Sequence, residues 1–389
     1  MKSISTCVGC QACVDACPFN AIDFSYNEWG EGKAHIDDEK CKKCGLCERI
    51  CPAESIAFNA SAETVYATFS KKHRGTGSSG GIFYELAKNF IAQGGVVFGA
   101  AFNKQLKLIH TKATNEAELL QLCKSKYLHS DMTGVYTEIE KLLKNHVKVM
   151  FVGTPCQVSA VKNLFYSKHK EYLLLVDFLC HGTGTQKVFD ICINAEQKKQ
   201  NGKIVGFAFR AKTRKAEHSF KYTLRKGNKD KIVSGYSFEF PYYNSFLKYN
   251  IFNECCYDCN YTSNSRVGDI TLGDFWGIQK YNKKLNDQDG VSMISVNTQI
   301  GKDYFDQVRA NCTVYEYPIK LASDNNQSFR ERVSAISRES KHKLEEVLSS
   351  KGEAALVEKM RCGNVKKQII YAKTPKVVKI MWSRVRGRK

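Results

Sequence analysis

Short apolar runs alternate with amphipathic segments through the middle of the chain, and that alternation predicts a sheet layered with helices. Residues 95–102 and 107–111 read as strands, and 116–122 and 135–145 as helices. Residues 147–152 form an apolar strand that enters Gly153-Thr154-Pro155-Cys156-Gln157 and then a helix over 158–165. Residues 172–179 repeat the plan, entering Cys180-His181-Gly182 and a helix from about 185 to 199. Strands that are apolar almost throughout, each followed by a helix, imply a parallel α/β sheet. From 204 to 238 the period changes to two, with the turn signal Lys226-Gly227-Asn228, which predicts an antiparallel insert. A helix near 242–250, strands at 269–272 and 291–296, and helix from about 329 onwards complete the pattern. Ahead of the sheet, residues 73–81 are a glycine–serine loop opening the amphipathic segment 82–91, after a linker near 61–68.

The first sixty residues follow a different rule. Cys7, Cys10, Cys13 and Cys17 precede Pro18, and Cys41, Cys44, Cys47 and Cys51 precede Pro52, both as C-x2-C-x2-C-x3-C-P. This is the spacing of two-cluster bacterial ferredoxins, in which the fourth cysteine of each run serves the other cluster. One 4Fe-4S cluster is therefore assigned to Cys7, Cys10, Cys13 and Cys51, and the other to Cys17, Cys41, Cys44 and Cys47. Short strands at 21–24 and 55–58 are expected after the two loops. Zinc ribbons stop at four ligands and do not repeat this spacing. Disulfides would suit a small secreted scaffold rather than this chain.

A second set of cysteines stands where α/β proteins place their chemistry. Cys156 and Cys180 each follow the C-terminal end of an expected parallel strand, the edge at which such sheets bind ligands. Cys256 and Cys259 form a C-x2-C pair on a loop. Three readings fit them: four thiolates for a third 4Fe-4S cluster, inert buried cysteine, or a nucleophile or acid at Cys156 or Cys180, the latter beside His181. Cys123, Cys192, Cys312 and Cys362 read as structural.

Length changes the picture next: 389 residues are far too many for a ferredoxin alone. The expected divisions are a cluster module at 1–60, the two parts of one larger domain at 61–145 and 146–328, and a helical, basic tail at 329–389. No apolar run approaches the length of a membrane helix. Met1-Lys2-Ser3 leads straight into the first cysteine loop, which predicts no targeting segment, and reduced thiols point to a cytoplasmic protein. The net charge is +20, from 59 basic and 39 acidic residues. Its spread along the chain, rather than in one stripe with interleaved aromatics, argues against nucleic acid as a partner. It suits an acidic electron carrier or a phosphorylated substrate. From Lys366 to Lys389 nine basic residues and no acid mix with Ile369, Val377, Ile380 and Trp382. Such a tail suits the anionic inner face of a membrane, and a solvated tail is the other reading.

In order and spacing, Ser78-Ser79-Gly80-Gly81, Ser125-Lys126-Tyr127, Gly153-Thr154-Pro155-Cys156-Gln157 and Cys180-His181-Gly182 form one register. It continues through Cys256-x2-Cys259, Arg266-x2-Asp269-Ile270-Thr271 and Gly273-Asp274-Phe275-Trp276-Gly277. With these motifs the chain resembles the beta subunit of coenzyme F-420-reducing hydrogenase and its relatives, which include homologues encoded with exopolysaccharide genes. The resemblance covers about residues 60–330. Gly75-Thr76-Gly77 departs from it, standing where many members carry more serines. It implies an FAD-binding α/β domain with its own iron–sulfur cluster, ligated by Cys156, Cys180, Cys256 and Cys259. It implies that Ser78, Ser79, Gly80 and Gly81 take the flavin pyrophosphate, that Lys126 and Tyr127 approach the flavin ring, and that Asp274 and Trp276 line the site. Lys126 and His181 are the catalytic candidates.

The expected protein is an α+β ferredoxin-like module followed by an α/β domain with a largely parallel sheet, an antiparallel insert and a helical C-terminus. Its expected activity is reduction or dehydrogenation, linked to a ferredoxin-like donor or a deazaflavin. Electrons pass through 4Fe-4S clusters to FAD and on to a small-molecule acceptor, phosphorylated or sugar-linked, in surface polysaccharide assembly. The alternative is a non-catalytic electron-transfer protein docking on a larger redox enzyme.

Overall fold

The computed structural model describes residues 2–3, 7–213, 218–285, 290–326, 329 and 335–374. The two cysteine runs fold alike. Helices Ala12–Ala16 and Leu46–Ile50 occupy equivalent positions of the two repeats. Each follows a loop with two left-handed residues, Gly9 and Gln11 at φ 71° and 64°, and Lys43 and Gly45 at φ 54° and 70°. Left-handed backbone is what lets a short loop turn inward on itself. Strands β1 (Lys2–Ser3), β2 (Ile22–Tyr26) and β3 (Gly32–Ile36) form a small antiparallel sheet in the order β1-β3-β2. The strand expected at 55–58 does not form. Its carbonyls are taken by side chains of the larger domain instead, Ser55 by Asn163 Nδ2 at 2.7 Å and Ala57 by Lys162 Nζ at 2.8 Å.

The larger domain contains β4 (Thr64–Ser70), β5 (Val96–Phe102), β6 (Leu108–Ala113), β7 (Val149–Gly153) and β8 (Leu173–Phe178). An insert follows, β9 (Lys203–Phe209), β10 (Ser219–Lys226) and β11 (Lys229–Tyr236), paired antiparallel as the period-two pattern predicts. Strands β12 (Ile270–Asp274), β13 (Ser292–Val296) and β14 (Cys312–Pro318) complete the main sheet. Its order is β14-β4-β13-β12-β8-β7-β5-β6. Strands β12, β8, β7 and β5 are mutually parallel, and antiparallel strands extend both edges.

The expected linker near 61–68 is corrected: its second half belongs to β4, which pairs with both β13 and β14. Val65 and Ala67 are fully buried there. The run Thr64-Val65-Tyr66-Ala67-Thr68-Phe69 has the β-branched and aromatic content of a strand, but nothing local shows that two strands more than 200 residues away flank it.

The Arg266-x2-Asp269 motif staples the parallel core. Asp269 Oδ2 accepts from the Leu175 amide at 2.8 Å, and Arg266 Nη2 reaches Asp177 Oδ1 at 3.4 Å and donates to the Phe178 carbonyl at 3.2 Å. On the insert side, Phe189, Phe207, Phe209, Phe220, Phe240 and Tyr242 form an aromatic core against which the C-terminal element Ala335–Met360 packs. Helix Val365–Lys373 follows, with Ile370 and Tyr371 exposed. The rest of the basic tail, Trp382 included, lies outside the described residues.

Candidate functional site

None of the seventeen cysteines forms a disulfide. In the N-terminal module burial is the main influence, pushing Cys13 up to about 12, and the neighbouring charges of Cys7, Cys51 and Cys47 add to it. Cys10 is raised well above the usual thiol value, again by burial first, then by Cys13 and Cys7. Cys51 feels Cys7, and Cys47 feels Cys41. Cys7, Cys10, Cys13 and Cys51 thus lie within one another's influence, and Cys47 lies within reach of both Cys13 and Cys41. Thiols crowded and buried in this way become thiolates only with positive charge between them, which iron supplies. Amides already point at the sulfurs: Gly9 N donates to Cys7 Sγ, Ala21 N to Cys17 Sγ and Lys43 N to Cys41 Sγ, each at 3.4 Å. The donor set therefore fits two 4Fe-4S clusters, whose potentials such amide contacts tune.

The second cysteine set also converges. Cys156 opens helix Pro155–Val161, where Thr154 and Gln157 form a capping box. Cys180 follows β8, and Cys256 ends the tight turn Glu254–Cys256. Burial raises Cys180, and the next largest influences are Cys256, Cys156 and Cys259. Cys156, pushed up to about 12 by burial, feels Cys259 and Cys256 in turn. The four thiols come from three separate segments, two strand ends and a loop, yet Cys180 feels the other three and Cys156 feels Cys256 and Cys259. Sequence reasoning missed Cys255, which hydrogen-bonds Cys256 and also feels Cys156 and Cys259. Its direct adjacency to Cys256 was the available signal. Cys156, Cys255, Cys256 and Cys259 share a cavity of about 930 Å³ with Cys7 of the N-terminal module. Packed contacts cross the same seam. His129 Nε2–H donates to the Gly9 carbonyl at 3.2 Å, and its Nδ1 meets Thr183 Oγ1 at 3.4 Å, which in turn lies 3.9 Å from Cys256 Sγ.

Cys180, within electrostatic range of the other three, does not line that cavity. It lines a second cavity of about 270 Å³ together with Ser78, Ser79, Gly81, Lys126, Tyr127, His181, Asp274 and Trp276. Gly80 lies behind this wall rather than on it, because a Cβ there would come within 2.5 Å of the Thr68 carbonyl. Its amide is held by Ser292 Oγ at 2.9 Å. Ser78 Oγ accepts from the Ser125 amide at 2.8 Å, which ties the serine loop to the segment bearing Lys126. Helix Ile82–Ala92 starts at Gly81, φ 82°, with no side-chain cap, and the buried Ser79 Oγ has no hydrogen-bond partner among the described residues. An uncapped helix start beside an orphaned hydroxyl fits an anionic group such as a pyrophosphate.

Lys126 lines the cavity, but its ammonium donates to the carbonyls of Gln121, Leu122 and Cys123 at 2.9, 2.8 and 2.7 Å. It caps the C-terminal end of helix Glu116–Leu122, and burial pushes it down to about 7. Tyr127 stacks on Phe246 at 4.4 Å. His181 sits against Tyr249 at 6.5 Å and is lowered, chiefly by burial. Asp274 forms a two-pronged pair with Arg210, whose Nη2 lies 3.2 Å from Oδ1 and whose guanidinium lies 5.8 Å from the centre of the Trp276 ring. Arg210 was not anticipated. A charged residue closing the apolar run Phe207-Ala208-Phe209 was the only sign of it.

A buried network forms the floor of this cavity. Gln157 Nε2 donates to Ser130 Oγ at 2.9 Å, Ser130 Oγ meets His110 Nδ1 at 2.6 Å, and His110 Nε2–H donates to the Val152 carbonyl at 3.0 Å. Burial pushes His110 down to about 4 from an ordinary 6.5, so it is a neutral imidazole at neutral pH. The unfolded chain then binds the extra proton between those values. The stability from keeping His110 neutral is complete above about pH 6.5 and is lost as the pH falls to about 4, by up to about 3 kcal/mol. A His110→Gln variant is expected to flatten the fall in melting temperature over that window.

Two cysteine-rich elements joined edge to edge, one of them a two-cluster ferredoxin module, define an iron–sulfur protein of electron transfer and redox chemistry. Residues 6–55 match the 4Fe-4S dicluster domain. Residues 146–320 match the family model for the C terminus of the coenzyme F420 hydrogenase/dehydrogenase beta subunit. It is similar to the F subunit of the F(420)H(2) dehydrogenase of Methanosarcina mazei, 22% identical over 329 residues, 80% of this chain and 85% of the relative. It is also similar to the coenzyme F420-dependent sulfite reductase of Methanocaldococcus jannaschii, 27% identical over 167 residues, 41% of this chain and 25% of that protein. A ferredoxin of Pyrobaculum islandicum is 39% identical over 51 residues, 13% of this chain and 44% of its own length. Among the described residues, no helix is long and apolar enough to cross a membrane.

Proposed function

We propose that the chain is an iron–sulfur flavoprotein reductase or dehydrogenase. In this reading residues 61–328 form one flavin domain, with a third 4Fe-4S cluster on Cys156, Cys180, Cys256 and Cys259 and FAD at the smaller cavity. When bound, the clusters supply one-electron transfer and the flavin joins one-electron to two-electron chemistry. The observation that carries this reading is the position of the second thiol set. Three of its members line the seam with Cys7, while the fourth, Cys180, lines the cavity of the serine loop.

The chain's own residues then divide the work. The helix start at Gly81 and the Ser79 hydroxyl bind an anionic group, with Lys212 Nζ fixing the loop through the Ser79 carbonyl at 3.1 Å. Tyr127 and Trp276 give the cavity apolar walls that exclude water. His181 is assigned to hold or move a proton at the cavity. Lys126 holds the segment 121–126 in place through the helix-end carbonyls. A cavity of about 270 Å³ lies just below the usual range for ligand sites, so only part of FAD would sit within it and the rest would extend beyond.

Lys124 at the cavity and the net charge of +20 favour a phosphorylated acceptor. A ferredoxin-like protein or a deazaflavin is the proposed donor, and surface polysaccharide assembly is the setting the resemblance implies. Exposed Ile370 and Tyr371 beside Lys366, Lys367 and Lys373 support peripheral contact with anionic lipid.

The test is anaerobic purification with iron, sulfide and flavin quantified per chain. About twelve irons and one FAD are expected. Eight irons and no flavin, even after FAD is supplied, would overturn the reading and leave an electron-transfer adaptor.

A further inference from the structure

Lys341, on the C-terminal element Ala335–Met360, is only 1% exposed. Its ammonium meets three carboxylates: Glu31 at 3.1 Å, Glu254 at 3.0 Å and Glu345 at 2.6 Å. They come from three different places. Glu31 lies on the β2–β3 turn of the ferredoxin module, Glu254 begins the turn that carries Cys255 and Cys256, and Glu345 is one helical turn along from Lys341. Glu31 does more than pair. Its Oε1 accepts from the Glu254 backbone amide at 2.8 Å, while Asn27 Nδ2 holds its other oxygen at 3.0 Å. One turn before Lys341, Arg338 pairs with Glu254 at 2.9 Å and with Asp258, and lies over the Tyr257 ring at 5.5 Å. The non-cysteine residues of 254–258 are thus all gripped from outside their own loop.

A buried lysine is tolerable only when its charge is matched, and here matching it draws three segments to one point. We propose that Glu31 and Lys341 form a clasp that positions the Cys256–Cys259 loop against the ferredoxin module. Both are positioning residues for a third cluster, and the inference rests on the reading that these cysteines hold one. Glu254 at the start of the loop lies 223 residues from Glu31 along the chain, so the loop's placement depends on contacts of this kind. Without Lys341, the three carboxylates would crowd one point beside thiolates that are themselves negative, with only Arg338 and His342 at Glu254, among the described residues, to offset them. The loop would swing outward to rehydrate them. Without the Glu31 charge, the shape of the clasp survives but the field at the cysteines becomes less negative.

The test uses the full chain, purified anaerobically, as Lys341→Met, Lys341→Arg and Glu31→Gln. Iron is counted per chain, and the paramagnetic signals of the reduced protein are titrated against potential. Lys341→Met is expected to lose about four irons per chain and one cluster's signal, with the signals of the N-terminal module unchanged. Lys341→Arg is expected to restore both. Glu31→Gln is expected to keep its iron but raise the midpoint potential of that one cluster, since a less negative surrounding favours the added electron. Twelve irons and unaltered signals in Lys341→Met would overturn the clasp alone. Eight irons in the unmodified chain would overturn the third-cluster reading and the clasp with it. Should Lys341→Met fail to fold, an unmoved potential in Glu31→Gln decides against the proposal.

Discussion

Replacing Cys256 and Cys259 with serine is expected to lower iron from about twelve to about eight per chain while leaving the N-terminal clusters in place. Serine keeps the shape of the side chain but is a poor ligand for iron in a site built from thiolates. The two positions belong to one loop, so their loss removes half of the ligand set at a single place. The ferredoxin module does not use them: its eight cysteines lie within residues 7–51, and Cys7, Cys17 and Cys41 accept amide contacts from within that module. A variant that retains twelve irons would show that the second cysteine set is structural. The same variant separates the two redox readings. If Cys180 delivers electrons at the cavity wall, electron supply to bound flavin is expected to fall steeply, whereas flavin content is expected to hold. Reduction of flavin by a ferredoxin-like donor, followed optically under anaerobic conditions, is the measurement.

The second large effect is expected at Arg210. Its side chain is 6% exposed and that of its partner Asp274 is 19% exposed, so the pair lies largely out of water. Arg210→Met leaves the Asp274 carboxylate without its cation, and removing one partner of such a pair costs about 3 kcal/mol. The guanidinium also lies over Trp276, so the ring loses a neighbour that fixes it at the cavity wall. Lower thermal stability and weaker FAD binding are expected together. Pairing the change with Asp274→Leu is expected to return much of the stability, because an apolar pair is no worse than a buried ion pair. Flavin affinity is not expected to return with it. Recovery of stability without recovery of binding would assign Arg210 to the site, whereas recovery of both would make it purely structural.

Much of the site was legible one residue at a time. The serine loop, Lys126 with Tyr127, Cys180 with His181, and Asp274 with Trp276 all meet at the smaller cavity, although none is a neighbour of the next in sequence. The exceptions are instructive. Gly80 serves the backbone crossing at Thr68 rather than the cavity, and Lys126 spends its ammonium on a helix end. A motif shows which residue is required; it does not show whether the side chain faces a ligand or a neighbouring carbonyl. Arg210, Cys255, Glu31 and Lys341 stood in no motif at all.

By itself the sequence determined what local rules encode. The repeated cysteine spacing specifies its clusters because the ligands come from short loops. The alternation of apolar strands with helices specifies a parallel α/β core because burial on both faces is written in each strand. Tertiary structure alone decided that β4 joins the sheet, that thiols from three distant segments come within electrostatic range of one another, and that one buried lysine binds the C-terminal helix to the ferredoxin module. Each of these depends on which strand lies beside which and on loops closed over tens to hundreds of residues. No periodicity in a short window carries that information.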